Sequence, residues 1–142
     1  MMEPMPGTQA IYEYITDCPW YYKSFYKAYP SNSTVIVNNP CSMVSLYFNG
    51  DIAKLVVEAN IGNLTLGEQD YTTSVTPEVV VYQNTSRITL PSKVGSVNIR
   101  ENYANIDFYD QIEEYLAVKV NKGKIWLANF ASWNHLEISI EK

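Results

Sequence analysis

From Thr34 onward, apolar and polar residues alternate in short runs broken by Asn, Gly, Pro and Ser. A period of two puts successive side chains on opposite faces of an extended chain, so each run reads as a half-buried strand. Thr34–Val37, Met43–Phe48, Ile52–Ala59, Leu64–Leu66, Glu78–Gln83, Arg87–Leu90, Ser96–Ile99, Tyr115–Val120 and Ile125–Phe130 fit this reading. Near the end of the chain Leu136, Ile138 and Ile140 alternate with Glu137, Ser139 and Glu141. About eight to ten short strands with polar turns predict an all-β fold, a β-sandwich, jelly roll or small barrel.

Two turns set the expected pairing. Asn49-Gly50 lies between apolar runs. That dipeptide is a strong hairpin signal, because both residues of a two-residue turn must tolerate positive φ. The resulting hairpin sets Leu46 opposite Ala53 and Val44 opposite Leu55. Val44, Leu46, Phe48, Ala53, Leu55 and Val57 then share one face, and Ser45, Tyr47, Lys54 and Glu58 the other. A second hairpin at Lys122-Gly123 sets Val120 against Ile125 and Val118 against Leu127. With Trp126, Ala128 and Phe130 on its opposite side, the later strand reads as buried on both faces.

Two segments depart from the alternation. Tyr22, Phe25, Tyr26 and Tyr29 recur at helical spacing between Pro19 and Pro30. They predict a short helix over residues 19–29, with a strand as the alternative. Ile106, Tyr109 and Ile112 recur every three residues behind Asn105, predicting a short helix or an ordered loop over residues 105–114. Residues 1–7 read as a flexible, Pro-rich lead-in, and residues 8–142 as a single β-rich domain. No repeat of 20–50 residues is visible, and no low-complexity linker divides the chain.

Composition narrows the function classes. The 142 residues are 46% hydrophobic and 18% charged, a charged share below the usual ~25%. Twelve residues are Tyr, which favours strands, interfaces and binding surfaces. The net charge is −5, and between Arg100 and Lys119 lie five acids (Glu101, Asp107, Asp110, Glu113, Glu114) and no Lys or Arg. That balance argues against nucleic acid, which needs a clustered basic surface. No run of 18 apolar residues is present, so no membrane-spanning helix is expected. The first residues lack the basic and apolar regions of a signal peptide. These features assign no compartment, and a virion or extracellular surface is compatible with them.

Cys18 and Cys41 are the two cysteines, too few for a disulfide scaffold. They could form one bridge or remain two buried thiols. Nothing in the sequence proves an oxidising compartment, so unbridged thiols are the expectation. Asn32, Asn63 and Asn84 begin N-x-Ser/Thr sequons. With 13 Asn in the chain, chance supplies about that many.

The sequence offers little catalytic chemistry. The six glycines form no phosphate-cradling loop. His135 is the one histidine. It reads as a turn or strand-edge residue rather than a zinc ligand or member of a triad. The acids of residues 101–114 could supply a carboxylate pair, and Asn105, Asp107 and Asp110 could offer oxygens to calcium. Their spacing matches no known loop, and a solvated acidic segment is the simpler reading. No catalytic residue, metal or cofactor is therefore expected.

The expected function is contact rather than turnover. One form is a self-assembling structural protein, such as a coat, capsid or surface-appendage component. The alternative is a carbohydrate- or small-ligand-binding module that uses exposed aromatics. In either case Tyr21, Tyr22, Tyr26 and Tyr29 are the candidate contact residues, because interfaces are enriched in Tyr. Aromatics at helical spacing more often belong to a core. Even so, Trp20, Tyr21 and Tyr22 are adjacent and cannot all face one side.

Overall fold

The computed structural model describes residues 9–67, 75–128 and 137–140. The lead-in 1–7, Phe130, His135 and Leu136 lie outside these residues, as do the side chains of Ile138 and Ile140. Thirteen strands follow one another without a helix among the described residues: β1 (Gln9–Tyr14), β2 (Lys23–Lys27), β3 (Ser33–Asn39), β4 (Val44–Phe48), β5 (Lys54–Asn60), β6 (Asn63–Leu66), β7 (Val75–Val81), β8 (Arg87–Leu90), β9 (Lys93–Asn102), β10 (Asn105–Phe108), β11 (Ile112–Asn121), β12 (Lys124–Leu127) and β13 (Glu137–Ile140).

Odd-numbered strands form a seven-stranded sheet in the order β1-β3-β5-β7-β9-β11-β13, and even-numbered strands a six-stranded sheet in the order β12-β10-β8-β6-β4-β2. Every ladder is parallel. The chain therefore winds as a parallel β-solenoid, one strand in each sheet per coil. This corrects the expected sandwich or jelly roll. Short period-two runs with polar turns look the same in both architectures. They show which side chains face inward, and they do not show whether the next strand reverses beside the last or crosses to another sheet.

The hairpins fall for that reason. At Asn49-Gly50 the chain turns from β4 in one sheet to β5 in the other, so Leu46 lies beside Phe25 and Leu64, not Ala53. At Lys122-Gly123 it passes from β11 to β12, and Ile125 lies beside Ile106. Both expected helices are strands. In β2, Phe25 points toward the interior beside buried Leu46 while Tyr26 stacks outside on Tyr47. In the second segment, Ile106 and Phe108 are buried while Asn105 and Asp107 face out, and β11 begins at Ile112. The β12 strand is open outside, where Trp126 is exposed, so it is not buried on both faces.

The inward and outward assignments survive the change of fold. Val44, Leu46, Phe48, Leu55 and Val57 are all buried. Inside, each position continues along the coil axis as an apolar ladder. Val35, Leu55, Val79, Val97 and Leu116 form one, and Leu46, Leu64, Ile88 and Ile106 another. The first coil departs from this rule. Lys23 and Lys27 occupy the register positions of Val44 and Phe48, and Glu13 that of Val37. Charge at interior positions of a terminal coil blunts a sheet end against further pairing.

A repeat does exist, with one asparagine per coil. Asn39, Asn60, Asn84, Asn102 and Asn121 are separated by 21, 24, 18 and 19 residues and stack at one corner. Each of the last four opens a turn of the form Asn-x-(Gly/Ser/Ala)-(Asn/Arg/Lys), followed by a triplet whose first and third residues are apolar and whose middle residue is Thr, Thr, Asp or Trp. In this ladder Nδ2 of Asn60 donates to Oδ1 of Asn84 (3.0 Å), that of Asn84 to Asn102 (2.9 Å), and that of Asn102 to Asn121 (2.8 Å). Asn84, the third sequon, is wholly buried.

Cys18 and Cys41 are bridged, with Cα atoms 5.1 Å apart, which corrects the expectation of free thiols. The bond ties the connection between β1 and β2 to the first turn of the asparagine corner. Its 23-residue span is one coil, the distance at which winding brings two turns together.

Candidate functional site

The outer faces of the two sheets differ. On the seven-stranded sheet, Thr34, Ile36 and Val56 point away from the interior and are nonetheless buried, whereas Tyr12, Asn98 and Tyr115 on the same face are exposed. On the six-stranded sheet, the outward positions are half-buried or exposed and form two rows crossing the strands. One row runs Ser24–Ser45–Asn63–Arg87–Asn105–Lys124, and the other Tyr26–Tyr47–Thr65–Thr89–Asp107–Trp126. Neighbouring strands lie ~4.8 Å apart, so each row is a regular line of amide, hydroxyl, charged and aromatic groups. This face is the candidate site.

Its β2 end is aromatic. Tyr26 stacks on Tyr47 with ring centroids 4.7 Å apart and planes at 11°. Stacking of identical rings along an in-register ladder adds to the pairing of the strands beneath. In the segment leading into β2, Trp20 meets Tyr21 edge to face at 5.5 Å. Trp20, Tyr21, Tyr22 and Tyr26 are 88%, 50%, 79% and 77% exposed. The segment is held at one end by Cys18–Cys41 and at the other by Lys23 N–H, which donates to Met43 O (2.9 Å).

Tyr29, the fourth residue singled out from the sequence, stands apart from the other three. It is half-buried against Phe48, and its hydroxyl donates to Glu13. Burial first, and the Glu13 carboxylate second, push its phenol pKa well above the ordinary value.

The far end of the face carries charge. Arg87, Asn105, Asp107, Tyr109, Lys124 and Trp126 line a shallow depression of about 330 Å³. Arg87 Nε lies 3.8 Å from Asp107 Oδ2, and Tyr109 meets Trp126 edge to face at 5.0 Å. A second depression of about 300 Å³ sits where β2, β4 and β6 end, between Tyr26, Tyr47, Phe48 and Gly67.

The acids of residues 101–114 are dispersed by the winding. Glu101 accepts from the Tyr103 hydroxyl at the end of β9. Asp107 faces out from the six-stranded sheet beside Arg87. Asp110 accepts from Gln111 N–H at the opposite corner (2.7 Å), and Glu114 from Ser96 Oγ on the other sheet (2.7 Å). Asn105 and Asp107 thus share a face, and Asp110 does not join them. Among the described residues no three His, Cys, Asp or Glu gather as a metal site, and no helix is long and apolar enough to cross a membrane.

Sequence reasoning missed Tyr47, Arg87, Asn105, Lys124 and Trp126 as members of one face. The signal that could have found all but Tyr47 is the asparagine-led repeat: aligning Asn60, Asn84, Asn102 and Asn121 brings Asn63, Arg87, Asn105 and Lys124 into one column, and Thr65, Thr89, Asp107 and Trp126 into another. Compared with protein-family models, curated proteins and solved structures, the chain matches none.

Proposed function

We propose that this protein works by surface contact rather than turnover, as a rigid solenoid that associates with further copies of itself through the aromatic end of its six-stranded sheet. The observation that carries the reading is the exposure of Trp20, Tyr21, Tyr22 and Tyr26 within one segment fixed by a disulfide and a strand. Large rings held in place lose little conformational freedom on binding, which is why Tyr and Trp dominate contact hot spots. Charges at the interior positions of the first coil oppose end-to-end continuation of the sheets. Association through the outer face, side by side, is therefore the geometry this surface favours.

Light scattering after size exclusion, across a concentration series, is the test. The expected result is a multimer that Tyr22→Ala/Tyr26→Ala dissociates while the thermal midpoint stays nearly unchanged. A monomer at every concentration defeats self-association. Loss of folding in the double variant would place these tyrosines in the fold rather than at a contact. A hydrolase activity abolished by Asp107→Asn would overturn the non-catalytic reading.

A further inference from the structure

We infer that the depression at the β12 end of the six-stranded sheet is a binding site for an acidic saccharide, a separate property from self-association at the β2 end. The groups present are those an acidic sugar needs. Arg87 and Lys124 lie in the same row on either side of Asn105, two cations one strand apart from a neutral amide. They suit a carboxylate or sulfate, with the Arg guanidinium able to bind it through two parallel N–H groups. Asp107 is two residues from Asn105 on the same face, its side chain only 15% exposed and beside Arg87. A carboxylate and an amide so placed accept from and donate to ring hydroxyls. Trp126 is 40% exposed, next to Asp107 in the second row, and braced edge-on by Tyr109. It offers an apolar surface to the C–H face of a pyranose while the polar residues take its edge.

The local charge separates this site from the rest of the molecule. Arg87, Lys124 and Asp107 sum to +1 in a chain of net charge −5. The surplus accepts the acidic group of one sugar, while the Asp107 carboxylate disfavours a second anion beside it. Beyond the depression the rows continue as Thr89, Thr65, Asn63 and Ser45. They present hydroxyls and amides at strand spacing to the following units of an extended chain.

The experiment titrates the full chain with trigalacturonate, with maltotriose as a neutral trimer and with a short single-stranded oligonucleotide, by calorimetry at low and high salt. The acidic trimer is expected to bind, more weakly as salt rises. Arg87→Gln and Lys124→Gln should each cost about tenfold in affinity. Trp126→Ala should abolish binding and Trp126→Phe should retain part of it, with the circular dichroism of all variants unchanged. Tyr26→Ala should leave binding intact even if it dissociates the multimer, so each proposal can fail alone. No binding of the acidic trimer, equal binding of the neutral one, or tighter binding of the oligonucleotide would overturn the site. So would full affinity in Trp126→Phe and Trp126→Ala alike.

Discussion

Where the chain leaves the seven-stranded sheet it turns around a stacked asparagine; where it leaves the six-stranded sheet it turns around glycine and serine. At the first corner the asparagines of the last four turns each stand three residues before the next strand begins. Each side chain of the inner coils also holds its own turn, as when Asn84 Nδ2 donates to Ser86 O (2.8 Å) and Asn102 Nδ2 to Ala104 O (3.1 Å). At the second corner the described connections include residues 49–53, 91–92 and 109–111, and Gly50, Gly67 and Ser92 approach one another closely. Gly67 has φ +96°, and a Cβ there would lie 2.0 Å from Ser92 Oγ; a Cβ on Gly50 would lie 2.7 Å from the same atom. A hydrogen-bonded side-chain ladder fixes how each coil arrives, and the last four turns accordingly keep one length from asparagine to strand. Close packing of small residues requires only that no side chain intrude, and the length differences between coils collect there.

Breaking the ladder at its centre should have the largest effect. Asn84→Ala removes the amide that donates to Ser86 O, Asn105 O and Asn102 Oδ1, and takes from the Asn60 amide one of its three acceptors. Buried groups left unpaired cost ~1–3 kcal/mol each, so a loss of about 4 kcal/mol is expected in urea denaturation. A loss under about 1 kcal/mol would erase the distinction between the corners. Next comes the Cys18→Ala/Cys41→Ala pair, which frees the longer first turn of the asparagine corner. The chain-entropy model expects about 3 kcal/mol for a loop of this size, read as the shift in denaturation midpoint against the oxidised wild type.

At the opposite corner, Gly67→Ala should cost about 2 kcal/mol, from positive φ and the clash with Ser92 combined. Adding Ser92→Gly should restore the part due to the clash and leave the part due to φ, which a double-mutant cycle separates. The smallest effect sharpens the comparison. Asn121 ends the ladder and is exposed, so water can replace its partners. Asn121→Ala should cost about 1 kcal/mol or less, and equality with Asn84→Ala would mean that burial does not set the ladder's value.

The strands were legible, and their connection was not. Ser45, Tyr47, Leu46 and Phe48 announce an inside and an outside by alternation alone, and the structure keeps each on its side. Asn49-Gly50 has the composition of a hairpin turn, but positive φ is not what its glycine supplies. Its actual requirement is room beside Ser92 and Gly67, a neighbour supplied by later coils. The helical spacing of Tyr22, Phe25 and Tyr26 gave way to pairing with β4, a tertiary contact that no local window contains. Unequal intervals between asparagines hid the repeat from a search for a fixed period. The site was half legible. Tyr21, Tyr22 and Tyr26 stood out by composition, whereas Arg87, Lys124 and Trp126 become neighbours only once the coils are stacked.

The parallel register also bears on how the protein is made. Each strand from β3 onward pairs with the one a single coil earlier, so that partner has already been synthesised. A chain leaving the ribosome can therefore close coil upon coil, with the charged and disulfide-bonded first coil emerging ahead of the rest. No strand has to wait, unpaired, for a segment far downstream. A message interrupted late should yield a shorter solenoid with its finished coils intact, since stability in such a stack resides in neighbouring coils and not in a centre that every segment must reach.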